Sequence, residues 1–194
     1  MGCCTSKAVR RATEEFDSID TDRSKSLSAD ELGQWIGTHA ELWAMLAVNL
    51  NLEEERCRSI ATEVAFQLAS EHADGATEAR GSDGVKRIMT VTEFVRFRTL
   101  VVDDPKGRQN FFHRCVFTAF DSDGNGYLDA AELDRFLETF YKADSIFKGD
   151  ARLPEKDELR RIVNTKLDTD GDGKLRFEEL HGLISGSAEV LSSH

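Results

Sequence analysis

Asp121-Ser-Asp-Gly-Asn-Gly-Tyr-Leu-Asp-Ala-Ala-Glu132 is the stretch on which the reading of this chain turns, and Asp168-Thr-Asp-Gly-Asp-Gly-Lys-Leu-Arg-Phe-Glu-Glu179 repeats its plan. In each, oxygen-bearing side chains stand at positions 1, 3, 5 and 12, and glycine stands at position 6. Six to eight oxygens converging on one point are what a hard divalent cation such as calcium requires. The first stretch offers Asp121, Asp123, Asn125, the Tyr127 carbonyl, Asp129 and both oxygens of Glu132. The second offers Asp168, Asp170, Asp172, the Lys174 carbonyl and Glu179. Its position 9 is Arg176, which cannot ligate, so water takes that place or the affinity is lower. Glycine at position 6 supplies the sharp turn because it has no Cβ.

Both stretches satisfy the calcium-loop pattern of the EF-hand, D-x-[DN]-x-[DN]-G-x5-E. Apolar residues flank them at helical spacing: Val116, Phe117 and Phe120 before the first, Leu133, Phe136, Leu137 and Phe140 after it. Val163 and Leu167 precede the second, and Leu180, Leu183 and Ile184 follow it. Leu128 and Leu175 sit at position 8, where paired loops meet through a short strand.

A weaker copy opens at Asp20. Asp20, Asp22, Ser24, the Ser26 carbonyl, Ser28 and Glu31 take its ligand positions, and Leu27 takes position 8. Lys25 replaces the position-6 glycine, at a cost of about 1 kcal/mol for a left-handed non-glycine residue. A weak calcium site or a purely structural loop are the two readings. A fourth copy is a relic: Met89, Glu93, Phe94 and Phe97 match positions 8, 12, 13 and 16, but Gly81-Ser-Asp-Gly-Val-Lys-Arg-Ile88 lacks an acid series. Its expected role is to pair with the first loop. The interval from Glu31 to Glu93 exceeds that from Glu132 to Glu179, which leaves room for a long helix and an inserted loop at Asp74–Arg87. Asn51-Leu-Glu-Glu54 reads as a capping box opening that helix, with Cys57, Ile60, Ala61, Val64 and Leu68 as its apolar stripe.

The expected fold is therefore all-α, two lobes of paired helix-loop-helix units with a short two-stranded pairing between loops. The expected organisation is a basic tip at 1–13, an N-lobe at 14–103 and a C-lobe at 104–194, the border falling where Asp103-Asp-Pro-Lys-Gly107 breaks the helical pattern.

The N-terminus, Met1-Gly-Cys-Cys-Thr-Ser-Lys7, fits the myristoylation pattern M-G-x-x-x-[ST]. Gly2 is the expected site of myristoylation, and Cys3 and Cys4 are the expected sites of palmitoylation. Lys7, Arg10 and Arg11 add a basic term with no acid before Glu14. One myristoyl chain binds membranes marginally, and stable anchoring takes a second signal. No apolar run approaches the roughly 20 residues that span a bilayer.

The net charge of −11 argues against nucleic-acid binding, which needs a basic surface. His39, His72, His113, His181 and His194 show no ligand spacing, and no nucleophile, zinc or phosphate-loop motif is present, so the chain does not read as an enzyme. Trp35 and Trp43 read as one helical face. Eight of the twelve phenylalanines fall between Phe111 and Phe177, which suggests a Phe-rich partner groove.

Four such units with an acylated tip resemble the lipidated four-EF-hand sensors: recoverin-like proteins, calcineurin B-like subunits and the calflagins of trypanosomatid flagella. The tip with its cysteines and Thr92-Glu-Phe-Val-Arg-Phe-Arg-Thr-Leu100 look most like calflagins, although those carry a longer charged extension before the first hand. The resemblance implies a calcium sensor on the cytoplasmic face of a plasma, flagellar or ciliary membrane, engaging a protein target. A calcineurin B-like regulatory subunit and a calcium buffer are the alternative roles.

Overall fold

The computed structural model describes residues 3–71, 88–147, 160, 161, 165, 168 and 170–184. Gly2, His72, His194, the insertion at Asp74–Arg87, Val163 and Leu167 lie outside the described residues. The chain divides into two compact units, Met1–Phe112 and His113–His194.

In the first unit, α1 (Cys3–Ile19) runs without a break across residue 13 into the first loop. Ala12 and Phe16, one turn apart, are its buried contacts, and Arg10–Glu14 and Arg11–Glu15 pair along its outer side. Past the loop, β1 (Ser26–Ser28) leads into α2 (Ala29–Thr38), which buries Leu32, Trp35 and Ile36. A 3₁₀ turn (Ala40–Leu42) and α3 (Ala44–Leu50) follow, then α4 (Glu54–Glu71), β2 (Ile88–Thr90) and α5 (Val91–Arg98). The expected stripe Cys57, Ile60, Ala61, Val64 and Leu68 is the buried side of α4. Strands β1 and β2 pair antiparallel, with Leu27 opposite Met89, both fully buried. The degenerate copy thus partners the first loop as its position-8 residue predicted.

Two local expectations are overturned. Asn51 does not cap α4: its φ of 51° and ψ of 43° are left-handed, whereas an N-cap needs extended backbone, and it closes α3 instead. Asparagine tolerates that region better than most residues, and α4 starts later, at Glu54. Trp35 and Trp43 do not share a helix, because α2 ends at Thr38, where the Thr38 hydroxyl and the His39 imidazole both bond the Trp35 carbonyl. Trp43 lies between the 3₁₀ turn and α3, 5.8 Å beneath the Arg58 guanidinium. The capping boxes are at Ser28 with Glu31 and Thr90 with Glu93, opening α2 and α5.

The core of this unit is aromatic. Phe94 meets Phe16 at 5.9 Å and Trp35 at 5.1 Å, and Phe97 meets Phe111 at 5.6 Å. Phe111 therefore packs with the N-terminal half of the chain, and the expected Phe-rich set of the C-lobe starts beyond it. Arg98 is fully buried and donates to both oxygens of Glu15 on α1 and to Asp103. A buried guanidinium is tolerable only when paired in this way. A single π-helical turn (Thr99–Asp103) and extended Asp104 break the helical path, and α6 (Pro105–Phe120) restarts it with proline at its first position, where a missing N–H costs nothing. Gly107 is required there, since a Cβ would collide with the Leu100 carbonyl.

In the second unit, β3 (Tyr127–Leu128) pairs with β4 (Leu175–Arg176), Leu128 opposite Leu175. Helices α7 (Ala130–Phe147) and α8 (Phe177–Ile184) leave these strands. Cys115, Phe117, Leu133, Phe136, Leu137 and Leu180 are buried, and Phe117–Phe177 and Phe120–Phe136 make edge contacts at 5.9 and 5.3 Å. His113 packs on His181 at 5.1 Å, and burial, with that second imidazole, pulls its pKa down to about 4. The described elements are helices and two minimal two-stranded sheets, as expected, and among the described residues no helix is long and apolar enough to cross a membrane.

Candidate metal sites

Each loop is knit by the same backbone-to-carboxylate pattern, and the pattern follows from its turn. In the loop Asp121–Glu132, the Asn125 N–H donates to Asp121 Oδ1 and Asp123 Oδ1, and the Gly126 N–H donates to Asp121 Oδ2 at 3.0 Å. Ser122 N–H donates to Glu132 Oε1 at 2.7 Å, and Asp129 N–H to Glu132 Oε2 at 3.2 Å. The loop Asp168–Glu179 repeats this: Asp172 N–H to Asp168 and Asp170, Gly173 N–H to Asp168, and Arg176 N–H to Glu179. Such turns need positive φ at positions 4 and 6. Gly124 and Gly126 have φ of 69° and 84°, and Gly171 and Gly173 have 71° and 75°.

The first loop adopts the same path with side chains in place of both glycines. Arg23 and Lys25 have φ of 57° and 64°. Ser24 N–H donates to Asp20 and Asp22, and Lys25 N–H to Asp20. What sets it apart from the loop of Glu132 is hydroxyl donors. The Thr21 and Ser28 hydroxyls donate to Glu31 Oε1 and Oε2 at 2.9 and 2.8 Å, beside the N–H groups of the same residues. The Ser24 hydroxyl donates to the Ser26 carbonyl at 2.8 Å, the oxygen expected to ligate from position 7. These donors, the Ser28 N–H first, hold the buried Glu31 carboxyl down at about 2 against the effect of burial. In the loop of Glu132 the matching Ser122 hydroxyl donates instead to the Phe120 carbonyl.

This bonding makes Glu31 a structural residue. Glu31→Ala should destabilise the calcium-free first unit by about 2–4 kcal/mol, because it orphans the partly buried Thr21 and Ser28 donors and removes the Glu31 half of the α2 capping box. Urea unfolding followed through the tryptophans measures it; a loss below about 0.5 kcal/mol would refute the role.

Three carboxylate groups come together: Asp20, Asp22 and Glu31; Asp121, Asp123 and Glu132; and Asp168, Asp170 and Asp172, in each case with oxygens within 4.8 Å of one another. Oxygens sharing one calcium at 2.3–2.6 Å lie no more than about 5 Å apart, so the donor sets fit the ion in chemistry and span. Burial pushes the Asp121 carboxyl up, and repulsion from Glu132 adds to it, as expected of acids gathered for a cation. Asp129 is not in the second group, and it and Asn125 have bonds of their own within the loop. Asn125 Oδ1 accepts the Tyr127 N–H, and Asp129 Oδ1 caps α7 by accepting the N–H groups of Ala131 and Glu132. Glu179 stands at the start of α8, outside the cluster of three, held by the Arg176 N–H at 3.0 Å. Lys174, expected to ligate through its carbonyl, extends its ammonium over the Tyr127 ring at 4.0 Å.

Arg176 is the residue whose behaviour was not read from sequence. Its side chain folds back on the loop, with Nη1 2.6 Å from Asp170 Oδ2 and Nη2 3.1 Å from Asp172 Oδ2. Position 9 alone signalled only that it could not ligate.

Residues 112–185 match the family description "EF-hand domain pair". Polcalcin Ole e 3 of Olea europaea is 30% identical over 97 residues, taking in 46% of this chain and 99% of that protein. The chain belongs to the EF-hand calcium-binding family. A second EF-hand relative by likeness is troponin C of Tyrophagus putrescentiae, 25% identical over 178 residues, 92% of this chain and 93% of that protein. Probable diacylglycerol kinase 3 of Caenorhabditis elegans is 25% identical over 170 residues, 88% of this chain. The chain spans only 20% of that protein's length. Calcium binding by this EF-hand chain rests on that membership together with the three carboxylate groups.

Proposed function

We propose that this is a calcium sensor tethered to a membrane by acyl chains on Gly2 and on Cys3 or Cys4, regulatory and not catalytic. In this reading calcium fills the loops Asp121–Glu132 and Asp168–Glu179 strongly. The loop Asp20–Glu31, whose Glu31 carboxylate and Ser26 carbonyl already accept hydroxyls, fills weakly. The observation that carries the sensor reading is the position of Glu132. It is a ligand of the first strong site and also lies in the first turn of α7, directly before Leu133, Phe136 and Leu137 of the core. Calcium drawing in Glu132 acts on the helix that holds the Phe120–Phe136 and neighbouring contacts together, and sensor EF-hands open by such a reorientation. The surface released is rich in phenylalanine and poor in methionine, which suits a few dedicated protein targets better than many.

Calcium should therefore raise the fluorescence of an apolar-surface dye several-fold, and Glu132→Gln should remove most of the rise. A signal that calcium leaves unchanged would favour a buffer. Co-purification with a large enzyme at every calcium level would favour a permanent regulatory subunit. A plasma, flagellar or ciliary membrane suits the calflagin likeness of the tip.

A further inference from the structure

Position 9 of the three loops is occupied by Ser28, Asp129 and Arg176, and each keeps the same backbone task, its N–H bonding the closing glutamate. The side chains diverge. Asp129 turns to α7 and caps it, whereas Arg176 turns into its own loop and forks between Asp170 and Asp172, the ligands at positions 3 and 5. Both oxygens of each of these carboxylates then have a donor. Asp170 takes the Asp172 N–H and Arg176, and Asp172 takes the Lys174 N–H and Arg176. In the other strong loop, Asp123 is met by neutral donors, the Asn125 N–H and side-chain amide. The cation there, Arg135, sits outside the loop on α7, bonding the Ser122 hydroxyl at 2.9 Å with Glu132 at 3.7 Å.

We propose that Arg176 is a tethered counter-ion of the loop Asp168–Glu179, which calcium must displace to bind. The proposal rests on that loop being a calcium site. Two carboxylates on one small loop repel each other, and a guanidinium spanning Asp170 and Asp172 relieves the repulsion by occupying oxygens that a divalent ion would need. The loop stays gathered without calcium, and the ion has to break two charge-assisted hydrogen bonds to enter. With about half its side chain exposed, Arg176 has open solvent to swing into. The consequence is an order of filling: Asp121–Glu132, which has Asp129 at position 9, fills first, and Asp168–Glu179 fills second and more weakly.

The test uses the full chain in a Glu132→Gln background, which leaves Asp168–Glu179 as the strong site. Calcium alone is titrated by competition with a chelating indicator, and far-UV circular dichroism checks each calcium-free variant for helix content. Arg176→Gln should tighten calcium binding about three- to tenfold, since each exposed ion pair contributes a factor of up to about five. Arg176→Lys, which keeps the charge but not the fork, should fall between wild type and the glutamine variant. The calcium on-rate by stopped flow should rise in the same order. An Arg176→Gln affinity within twofold of the background overturns the counter-ion role, and so does a lysine variant that binds as tightly as glutamine. If neither the background nor its glutamine variant binds calcium, the loop itself is not a site, and the reading beneath the proposal falls with it.

Discussion

Glu132→Gln together with Glu179→Gln should abolish the strong phase of calcium binding in a calorimetric titration. Each glutamate closes its loop at position 12 and is the residue that supplies two oxygens to one ion. Glutamine keeps one carbonyl acceptor, which serves the Arg176 N–H at Glu179 and one of the Ser122 and Asp129 N–H groups that bond separate oxygens of Glu132, while the backbone bonds to the loop aspartates are untouched. The loops should therefore stay folded while each loses one negative charge and one ligand oxygen. EF-hand affinity is tuned over orders of magnitude by ligand charge, so each site should weaken about a hundredfold or more. The stabilisation that bound calcium gives should vanish with it, since a ligand stabilises by RT ln(1 + [L]/Kd), which falls to zero when Kd far exceeds the free concentration. Thermal unfolding with and without calcium checks this independently. Strong binding that survived in the double variant would mean that the ligand assignment is wrong. Residual weak binding is the expected signature of Asp20–Glu31.

Gly2→Ala should move the protein entirely to the soluble fraction. A single myristoyl chain associates with membranes at only about 10⁴ M⁻¹, but it supplies the transient visits on which thioacylation of Cys3 or Cys4 depends. A second chain adds about 0.8 kcal/mol per buried CH₂, enough to make dissociation slow. Cys3→Ser with Cys4→Ser should accordingly leave a weakly and diffusely bound protein. Neutralising Lys7, Arg10 and Arg11 should reduce binding only in part. Their field is screened within about 8 Å, and in α1 Arg10 and Arg11 already pair with Glu14 and Glu15. Fractionation of cells expressing each variant gives the ranking. A thioester-linked chain cannot be withdrawn by a conformational change, so chelating calcium should leave the wild type on the membrane. Release of the wild type by chelation alone would contradict dual acylation and indicate a reversible calcium–myristoyl switch.

The metal loops were legible in the sequence because their determinants are local. Twelve consecutive residues contain the ligands, the turn glycines and the pairing leucine, so spacing alone places Asp121, Asp123 and Glu132 around one point. The pairing of Leu27 with Met89 followed from the same register, even with no series of acids in the second copy. Helix boundaries between the loops were less legible. Asn51 fits an N-cap pattern, yet the chain needed a left-handed residue to leave α3, and asparagine serves both uses. Trp35 and Trp43 satisfy a helical period that the turn at Thr38 and His39 interrupts.

By itself the sequence determined the all-helical class, the loops, the carboxylates that gather in them and the partner of each loop, since each depends on residues close in the chain or on a repeated register. Only the tertiary structure decided which charges meet across the chain and where a long side chain turns. Arg98 reaches Glu15 from the other end of the first unit because packing of α5 on α1 leaves it no water, and a buried guanidinium must find the nearest carboxylate. Arg176 turns inward because the loop has already gathered Asp170 and Asp172 and their combined charge attracts it. Neither contact has a period or a motif: each is set by where the folded backbone places opposite charges.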